Sequence, residues 1–234
     1  IYPCVLKPLS LSASRGVIRA DGHNSFVTAF HRIRELLFKV NGTREEKQGI
    51  LVEDYIHGHE VALEGIVTNG ELIPLALFDK CDPLEGPFFA ETIYTTPSRL
   101  TMMEQKSILR VAQDAITAMK LCEGPIHAEL RLSQYGPVVI EVAARSIGGL
   151  CSRALRFGEG MALEEIILRH ALNITIESFQ RESKAKGVMM LPVPGDKAGR
   201  LKKIDGMAEA QLTKGINEIT ITVPLGEIVI PLPE

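Results

Sequence analysis

Hydrophobic and polar positions alternate most clearly between residues 124 and 149, GPIHAELRLSQYGPVVIEVAARSIGG. The alternation has the two-residue period of β-strands, and it predicts one strand over His127–Leu132 and a second over Val138–Arg145. Gln134–Gly136 predicts a three-residue turn between them, because glycine adopts a positive φ without steric cost. The segment is therefore predicted to be a β-hairpin.

The predicted turn sets the register of the hairpin, with Ser133 opposite Pro137. In that register Glu129 lies opposite Glu141, and His127 lies opposite Ala143. The acids share their face with basic residues. The other face carries only apolar side chains and is predicted to be core: Ile126, Ala128, Leu130, Leu132, Val138, Ile140, Val142 and Ala144.

Two carboxylates that face each other on neighbouring strands repel, unless a cation lies between them or they share a proton. Oxygen ligands of this kind suit Mg²⁺, which takes one or two carboxylates and fills its other positions with water and phosphate. The alternative is a solvated sheet face, on which Arg131 and Arg145 form weak surface pairs with the two acids. Gly148 and Gly149 favour the first interpretation, because their backbone can approach a ligand closely.

The same periodicities predict the remaining elements. A 3.6-residue period predicts helices over Ser25–Val40 and after the capping box Thr101–Glu104, and Asp79–Pro97 is predicted to be a long loop. Further strands are predicted over Tyr2–Lys7, Ile50–Ile56, Glu60–Val67 and Leu72–Phe78. Leu150–Phe157 and Leu163–Leu172 are predicted to be helical, and short strands (GVMMLPVP, GRLKKI, EITITVP and GEIVIPLP) form a small α+β appendage from about Lys186 onwards.

Composition narrows the class of protein. The chain has 234 residues with 45% hydrophobic content, enough for a sizeable core, and its net charge of −3 predicts no nucleic-acid partner. No apolar run approaches the ~18 residues needed to span a bilayer, so no membrane partner is expected. Four scattered cysteines without a Cys-x-x-Cys spacing predict free thiols in a reducing cytosol. Because the chain begins with Ile1, without an initiator Met and directly at a predicted strand, we expect it to be a fragment.

Lys7 ends the first predicted strand and precedes a loop of small residues, LSLSASRG. Backbone N–H groups and hydroxyls in such a loop can surround a polyphosphate, and the lysine adds a point charge. The loop lacks the spacing of a Walker motif. The alternative is an ordinary surface turn beside a solvated lysine.

Taken together, these motifs resemble the ATP-grasp superfamily, over roughly residues 1–172. The resemblance implies that Lys7 contacts the ATP phosphates and that the loop Ser10–Gly16 folds over them. It implies that a V-E-x-x-[IL] segment lines the adenine and that an acid seven residues further on, Glu60, holds the ribose. The nucleotide-binding residues implied in this way are Lys7, Ser12, Ser14, Arg15, Gly16, Glu53, Asp54, Tyr55, Ile56 and Glu60.

In that family an E-x-N-x-R motif supplies a metal ligand and an arginine, and the matching residues here are Glu141 and Arg145. The resemblance thus implies that Glu129 and Glu141 hold two Mg²⁺ ions, or Mn²⁺ in place of Mg²⁺. Ala143 stands where the motif has asparagine, which puts the second metal in question. The family's N-terminal lobe is also missing.

The D-K…G-P-F-F-x-E-T…P loop and G-P-x-H-x-E are most similar to the bacterial L-amino-acid ligase and carnosine-synthase branch. In that branch a glutamate of this loop faces the amino-acid substrate, so the resemblance assigns Glu91 there, with Tyr94 beside it. The implied fold is an α+β ATP-grasp fragment. Its parts would be a lid lobe over residues 1–65, a C-terminal lobe with the metal hairpin over 66–182, and a small lobe over 183–234.

The implied chemistry is ATP-dependent ligation of a carboxylate and an amine, both from amino acids, through an acyl phosphate that Arg145 would stabilise. A biotin-carboxylase-like or purine-pathway ligase of the same superfamily is one alternative. A degenerate nucleotide-binding module without catalysis is another, in view of Ala143. The substrates stay unnamed, and a homodimer is compatible with the sequence.

Overall fold

The computed structural model describes residues 2–39, 49–191, 193 and 197–230. The chain forms two compact units, Ile1–Met190 and Leu191–Glu234. Every strand pairing among the described residues is antiparallel, and the strands pack on helices. The predicted α+β class is therefore confirmed. None of the described helices is long and apolar enough to cross a bilayer.

The first unit begins with a three-stranded sheet of order β2-β1-β3. Its strands are β1 (Cys4–Pro8), β2 (Ile18–Ala20) and β3 (Ile50–Asp54), and helix α1 (His23–Lys39) follows β2. The apolar stripe that predicted this helix faces the sheet. One core forms between them from Cys4, Leu6, Ile18, Ala20, Ala29, Ile33 and Leu37.

A six-stranded sheet of order β8-β7-β4-β5-β6-β9 makes up most of the first unit. Its strands are β4 (His59–Thr68), β5 (Glu71–Lys80), β6 (Ile93–Thr96), β7 (Gly124–Ser133), β8 (Gly136–Ala143) and β9 (Lys186–Met189). Strand β4 lies between β7 and β5, so hydrogen bonds engage both of its edges.

Both faces of β4 are buried. Helix α2 (Met102–Ala118) covers the face that carries Val61, Leu63 and Val67, and it begins at the predicted capping box of Thr101 and Glu104. The other face packs near helix α3 (Leu163–Ala171) and a short 3-10 helix (Cys151–Ala154). Glu60 and Glu64 share this second face with buried Ala62, so the fold places two carboxylates in its interior.

The hairpin β7–β8 pairs Glu129 with Glu141 and His127 with Ala143, as predicted. The register at the turn was predicted wrongly: Ser133 pairs with Gly136 across a two-residue loop. A β-bulge in β8 compensates for this shift in register. Leu130 pairs with Val139 and Glu129 pairs with Glu141, so Ile140 is the extra residue. Consequently Val139, and not Ile140, packs against the core beneath α2.

Other predictions also differ from the structure. The predicted long loop contains β6, which pairs with the end of β5. The predicted helix over Leu150–Phe157 is only the short 3-10 helix, because the backbone of Phe157 bonds to Met161 in both directions and leaves the helical path. The segment EITITVP, residues 218–224, forms no strand.

The second unit contains β10 (Gly199–Arg200), helix α4 (Met207–Gln211) and β11 (Ile228–Val229). Strands β10 and β11 pair with each other, and β9 belongs to the large sheet of the first unit. The predicted division at residues 65/66 and 182/183 stays a prediction; the first of these boundaries falls within β4.

Candidate active site

A cavity of about 660 Å³ lies in the first unit, between the small sheet and the hairpin β7–β8. The loop between β1 and β2, the end of β3, and the segment that follows β8 complete its wall. It brings together every site residue predicted from the sequence except Gly16, which has φ +75° and packs near Pro8 and Leu36. The predicted residues at the cavity are Lys7, Ser12, Ser14, Arg15, Glu53, Asp54, Tyr55, Ile56, Glu60, Glu91, Glu129, Glu141 and Arg145.

Beneath the cavity floor lies Lys80, whose side chain is 0% exposed. Its Nζ lies 2.7 Å from Glu60, 3.0 Å from Glu91 and 2.8 Å from Glu129. Burial alone would lower the pKa of Lys80, but these three carboxylates raise it well above its usual value. One buried ammonium thus holds three acids of the predicted site in a single cluster.

Glu60 is saturated by protein cations. Its second oxygen accepts from Arg131 Nε at 2.7 Å, and Arg131 also donates to the carbonyls of Ile56 at 2.9 Å and Leu84 at 2.5 Å. Each buried charge therefore has a partner, which is the condition for burying it at all. The predicted ribose contact of Glu60 would have to share oxygens that Lys80 and Arg131 already occupy.

Glu91 joins the loop between β1 and β2 to this cluster. It accepts a hydrogen bond from Ser14 Oγ at 3.2 Å and another from the hydroxyl of Tyr94, in addition to its contact with Lys80. Burial raises the pKa of Glu91, although the nearby ammonium opposes that effect. Asp82 fixes the base of the loop that carries Glu91, because it accepts from the backbone and hydroxyl of Thr92 and from Ile93 N.

His127 connects Glu129 to a deeper carboxylate. Its Nε2 lies 3.2 Å from Glu129 Oε1, and its Nδ1 bonds to Glu64 Oε1. Burial alone would lower the pKa of His127, but the hydrogen bonds with Glu129 and Glu64 raise it to about 9. Burial would raise the pKa of Glu129, yet His127 and Lys80 lower it to about 2. Glu129 is therefore ionised at neutral pH.

Glu141 has a different environment. Its side chain is half exposed and lies 4.0 Å from Arg145 NH2, while Arg145 NH1 donates to the carbonyl of Ser146 at 2.9 Å. Both side chains border the cavity. Their charges are thus available to a ligand.

Glu129 and Glu141 could hold Mg²⁺ at the hairpin end of the cavity, although Oε1 of Glu129 already contacts Lys80 and His127. Glu60, Glu91 and Glu129 also converge, with ligand atoms within 4.8 Å of one another, but the ammonium of Lys80 already contacts all three. Glu129 and Glu141 supply oxygen atoms only, which suits a hard ion that keeps several waters. Ala143, opposite His127, supplies no ligand atom.

The opposite wall carries two cations, Lys7 and Arg15, together with two carboxylates, Glu53 and Asp54. Lys7 lies 2.5 Å from Glu53 across β1 and β3, and its side chain stays partly exposed. The loop that follows is held by bonds from Arg15 N to Ser12 O at 3.3 Å and from Val17 N to Ser14 O at 3.1 Å. Ser14 has φ +55°, a left-handed conformation that turns this loop sharply. Lys7 and Arg15 therefore border the same cavity as the carboxylates of its floor.

Two arginines hold the loop between β5 and β6 against Tyr55. The Arg19 guanidinium lies 4.1 Å from the ring centroid of Tyr55, and Arg131 lies 5.2 Å from it. Arg19 also donates to Glu85 O at 2.8 Å, and Arg131 donates to Leu84 O. These bonds tie the loop to both sheets, because Arg19 lies on β2 and Arg131 on β7.

Four buried residues of the site were not predicted from the sequence as parts of it: Lys80, Arg131, His127 and Glu64. A usable indication was present: Glu60 and Glu64 share a face with Ala62 on a strand that is otherwise apolar. Acids at such positions require buried donors or cations. Lys80, at the end of an apolar strand, and Arg131, beside Glu129, were the available cations.

The sequence model of the ATP-grasp domain matches residues 1–154. The chain therefore belongs to the ATP-grasp domain family, and the predicted resemblance is confirmed. Alanine–anticapsin ligase of Bacillus subtilis (strain 168) is 29% identical over 161 residues, which cover 62% of this chain and 34% of that ligase. Carnosine synthase 1 of Gallus gallus is 29% identical over 145 residues, 61% of this chain and 16% of that protein.

Among solved structures, the L-amino acid ligase from Bacillus licheniformis matches with a TM-score of 0.82 and 28% identity. The match covers 100% of this chain and 57% of that one. The chain spans about a third of the length of the alanine–anticapsin ligase it matches. The structural match and the sequence matches thus both point to proteins named as amino-acid ligases.

Proposed function

We propose that this chain is part of an ATP-dependent ligase that joins the carboxylate of one amino acid to the amine of another through an acyl phosphate. The observation that carries this proposal is a single cavity that two cations, Lys7 and Arg15, and two carboxylates, Glu91 and Glu129, border from different sides. Phosphates suit the two cations, while an ammonium group and Mg²⁺ suit the two carboxylates. Similarity to named amino-acid ligases supports the same class.

The chain's residues would act mainly by positioning charge. Lys7 would exchange its contact with Glu53 for the nucleotide phosphates, with the loop from Ser12 to Gly16 folded over them. Asp54, Tyr55 and Ile56 border the same cavity and would line the adenine. Arg145 would stabilise the charge that develops on the transferred phosphoryl group, since its forked donors match phosphate oxygens.

Glu91 would bind the substrate amine. Its carboxylate already interacts with the ammonium of Lys80 and with the hydroxyl of Tyr94, so it is preorganised to accept a second positive group. An ammonium that enters the cavity would meet Glu91 without displacing Arg131 from Glu60. This arrangement favours amino-acid substrates.

Glu129 and Glu141 would hold Mg²⁺, or Mn²⁺ in its place. The bound ion neutralises phosphate charge during phosphoryl transfer. Glu129 is kept ionised by Lys80 and His127, and half-exposed Glu141 offers the second carboxylate. With alanine at position 143, water must complete the coordination of any second ion.

We place the protein in a reducing cytosol, because all four cysteines are free thiols and Cys81 and Cys122 are exposed.

The test is ADP release by the full-length protein across pairs of amino acids, with the products identified by mass spectrometry. We expect Mg²⁺-dependent ADP release that requires two amino acids and yields a dipeptide. Asp114→Asn, an exposed change on α2 away from the cavity, should behave as wild type. ADP release without amide formation under every pairing would overturn the proposal.

Ala143 favours a second candidate, a nucleotide-binding module without catalysis. In that case the protein would bind Mg-ATP but release no ADP above the spontaneous rate with any amino-acid pair. Calorimetric titration of Mg-ATP beside the release assay distinguishes the two candidates.

A further inference from the structure

Glu64 is a buried carboxylate that the proposed mechanism leaves without a role. It lies in the middle of β4, it is 1% exposed, and it does not border the cavity. A carboxylate in such a position costs folding free energy unless its oxygens are satisfied. Burial raises the pKa of Glu64, and its bonds with His127 and Ile147 oppose that shift.

The two oxygens of Glu64 bind two different segments of the site. Oε1 bonds to His127 Nδ1 on β7, and Oε2 accepts a hydrogen bond from the backbone N–H of Ile147 at 2.8 Å. Ile147 lies in the segment that follows β8, two residues after Arg145 and directly before Gly148. One side chain therefore joins the strand that bears Glu129 to the segment that bears Arg145.

The connection reaches the cavity at both ends. At one end His127 Nε2 lies 3.2 Å from Glu129 Oε1, so the imidazole passes the orientation set by Glu64 on to Glu129. At the other end Arg145, Ser146 and Gly148 border the cavity beside Ile147. Among the described residues, 144–149 belong to no strand, because β8 ends at Ala143. Its position therefore depends on bonds such as that from Ile147 to Glu64.

We infer that Glu64 is a positioning residue, which sets Glu129 and the Arg145–Gly149 segment at a fixed distance from each other. A carboxylate suits this role because each of its oxygens accepts in its own direction, whereas glutamine has one acceptor and one donor group. The expected effect of Glu64 on catalysis rests on the proposed function. The link between Glu64 and Ile147 can be measured independently of that function.

Asp79 provides a matched control on the neighbouring strand β5. It is 2% exposed, and it accepts from Ser98 Oγ and from Arg99 N at 2.9 Å, but it does not border the cavity. Glu64 and Asp79 are thus both buried acids of the large sheet that bind a side chain and a backbone amide. A general loss of stability would follow from substitution of either residue.

The first measurement is hydrogen exchange of backbone amides in the protein without ligands. For Glu64→Met we expect the Ile147 amide to exchange at least about tenfold faster, beyond any change in the amides of β4. Asp79→Asn should leave Ile147 unchanged. Glu64→Gln keeps one acceptor and should retain part of the protection, and it replaces Glu64→Met if the methionine variant does not fold.

The second measurement is the Mg²⁺ dependence of ADP release by the full-length protein. We expect Glu64→Met to lower kcat at least about tenfold and to raise the half-maximal Mg²⁺ concentration several-fold, with KM for amino acids nearly unchanged. Glu64→Gln should recover part of the loss. Unchanged Ile147 exchange overturns the inference, and so does faster exchange with wild-type kcat and Mg²⁺ dependence. Absence of ADP release in the wild type would contradict the proposed function alone, because the exchange result still tests the link.

Discussion

Glu129 and Glu141 are direct cross-strand neighbours, yet their carboxylates lie in opposite environments. The side chain of Glu129 is 16% exposed and lies 2.8 Å from Lys80, whereas that of Glu141 is 55% exposed and lies 4.0 Å from Arg145. The first acid is fixed and ionised by the protein, and the second is free to follow a ligand. We therefore expect the two acids to contribute unequally to metal binding.

A substitution of Ala143, the residue opposite His127, tests whether the two acids contribute unequally to metal binding. Ala143 shares its strand face with Glu141, so Ala143→Asn would add an oxygen ligand near the position proposed for a second metal. We expect the half-maximal Mg²⁺ concentration for ADP release to fall several-fold in the full-length protein. The exposed change Ala144→Asn is the control, and an unchanged Mg²⁺ dependence in folded Ala143→Asn would mean that residue 143 does not face the metals.

Removal of Lys80 should strongly destabilise the first unit. Lys80→Met leaves Glu60, Glu91 and Glu129 without their shared ammonium, and breaking a buried ion pair costs about 3–5 kcal/mol. Urea denaturation measures the loss. The matched substitution Lys106→Met, on the exposed side of α2, should change the free energy of unfolding by less than about 0.5 kcal/mol. Equal effects of the two substitutions would show that the cluster does not stabilise the fold.

Substitution of Glu91 should weaken binding of the amino-acid substrate and leave binding of ATP nearly unchanged. Glu91→Gln removes the negative charge that would bind the amine, so we expect KM for one amino acid to rise roughly tenfold while KM for ATP stays within about twofold. Steady-state kinetics of the full-length protein measures both constants. Glu85→Gln is an exposed change in the same loop and should leave both near wild type. A change in the ATP constant alone would refute the role given to Glu91.

Asp82 should make the stability of the loop depend on pH. Three hydrogen bonds from Thr92 and Ile93 lower the pKa of Asp82 below its ordinary value, although partial burial works against them. Its contribution is therefore complete at neutral pH and is lost as the pH falls through the native-state pKa. We expect Asp82→Asn to lose about 1 kcal/mol at pH 7, because solvent partly screens the site.

Thermal unfolding between pH 7 and pH 3 tests the prediction for Asp82. The difference between wild type and Asp82→Asn should shrink below about pH 4. Asp114→Asn should show no such convergence. A constant difference across this range would mean that Asp82 is not the titrating group.

Local periodicity predicted the strands that carry the site better than the buried contacts between its side chains. The alternation in the hairpin placed Glu129 opposite Glu141, because strand parity depends only on neighbouring residues. The run Val138-Val139-Ile140 has no polar residue to mark which position is extra, so the bulge was missed. Lys80 meets Glu129 from 49 residues away, and no local pattern encodes such a contact.

The bulge at Ile140 also determines how the length of this hairpin can vary. The turn is one residue shorter than the alternation predicts, and the bulge adds one residue to β8. The two register shifts therefore cancel before the strands reach Glu129 and Glu141. A single-residue insertion or deletion in either place would shift the register by one and turn Glu141 to the opposite face. Length changes should therefore be accepted only in compensating pairs. In an alignment with related chains, a gap in the turn would then have to be balanced by an opposite gap beside residue 140.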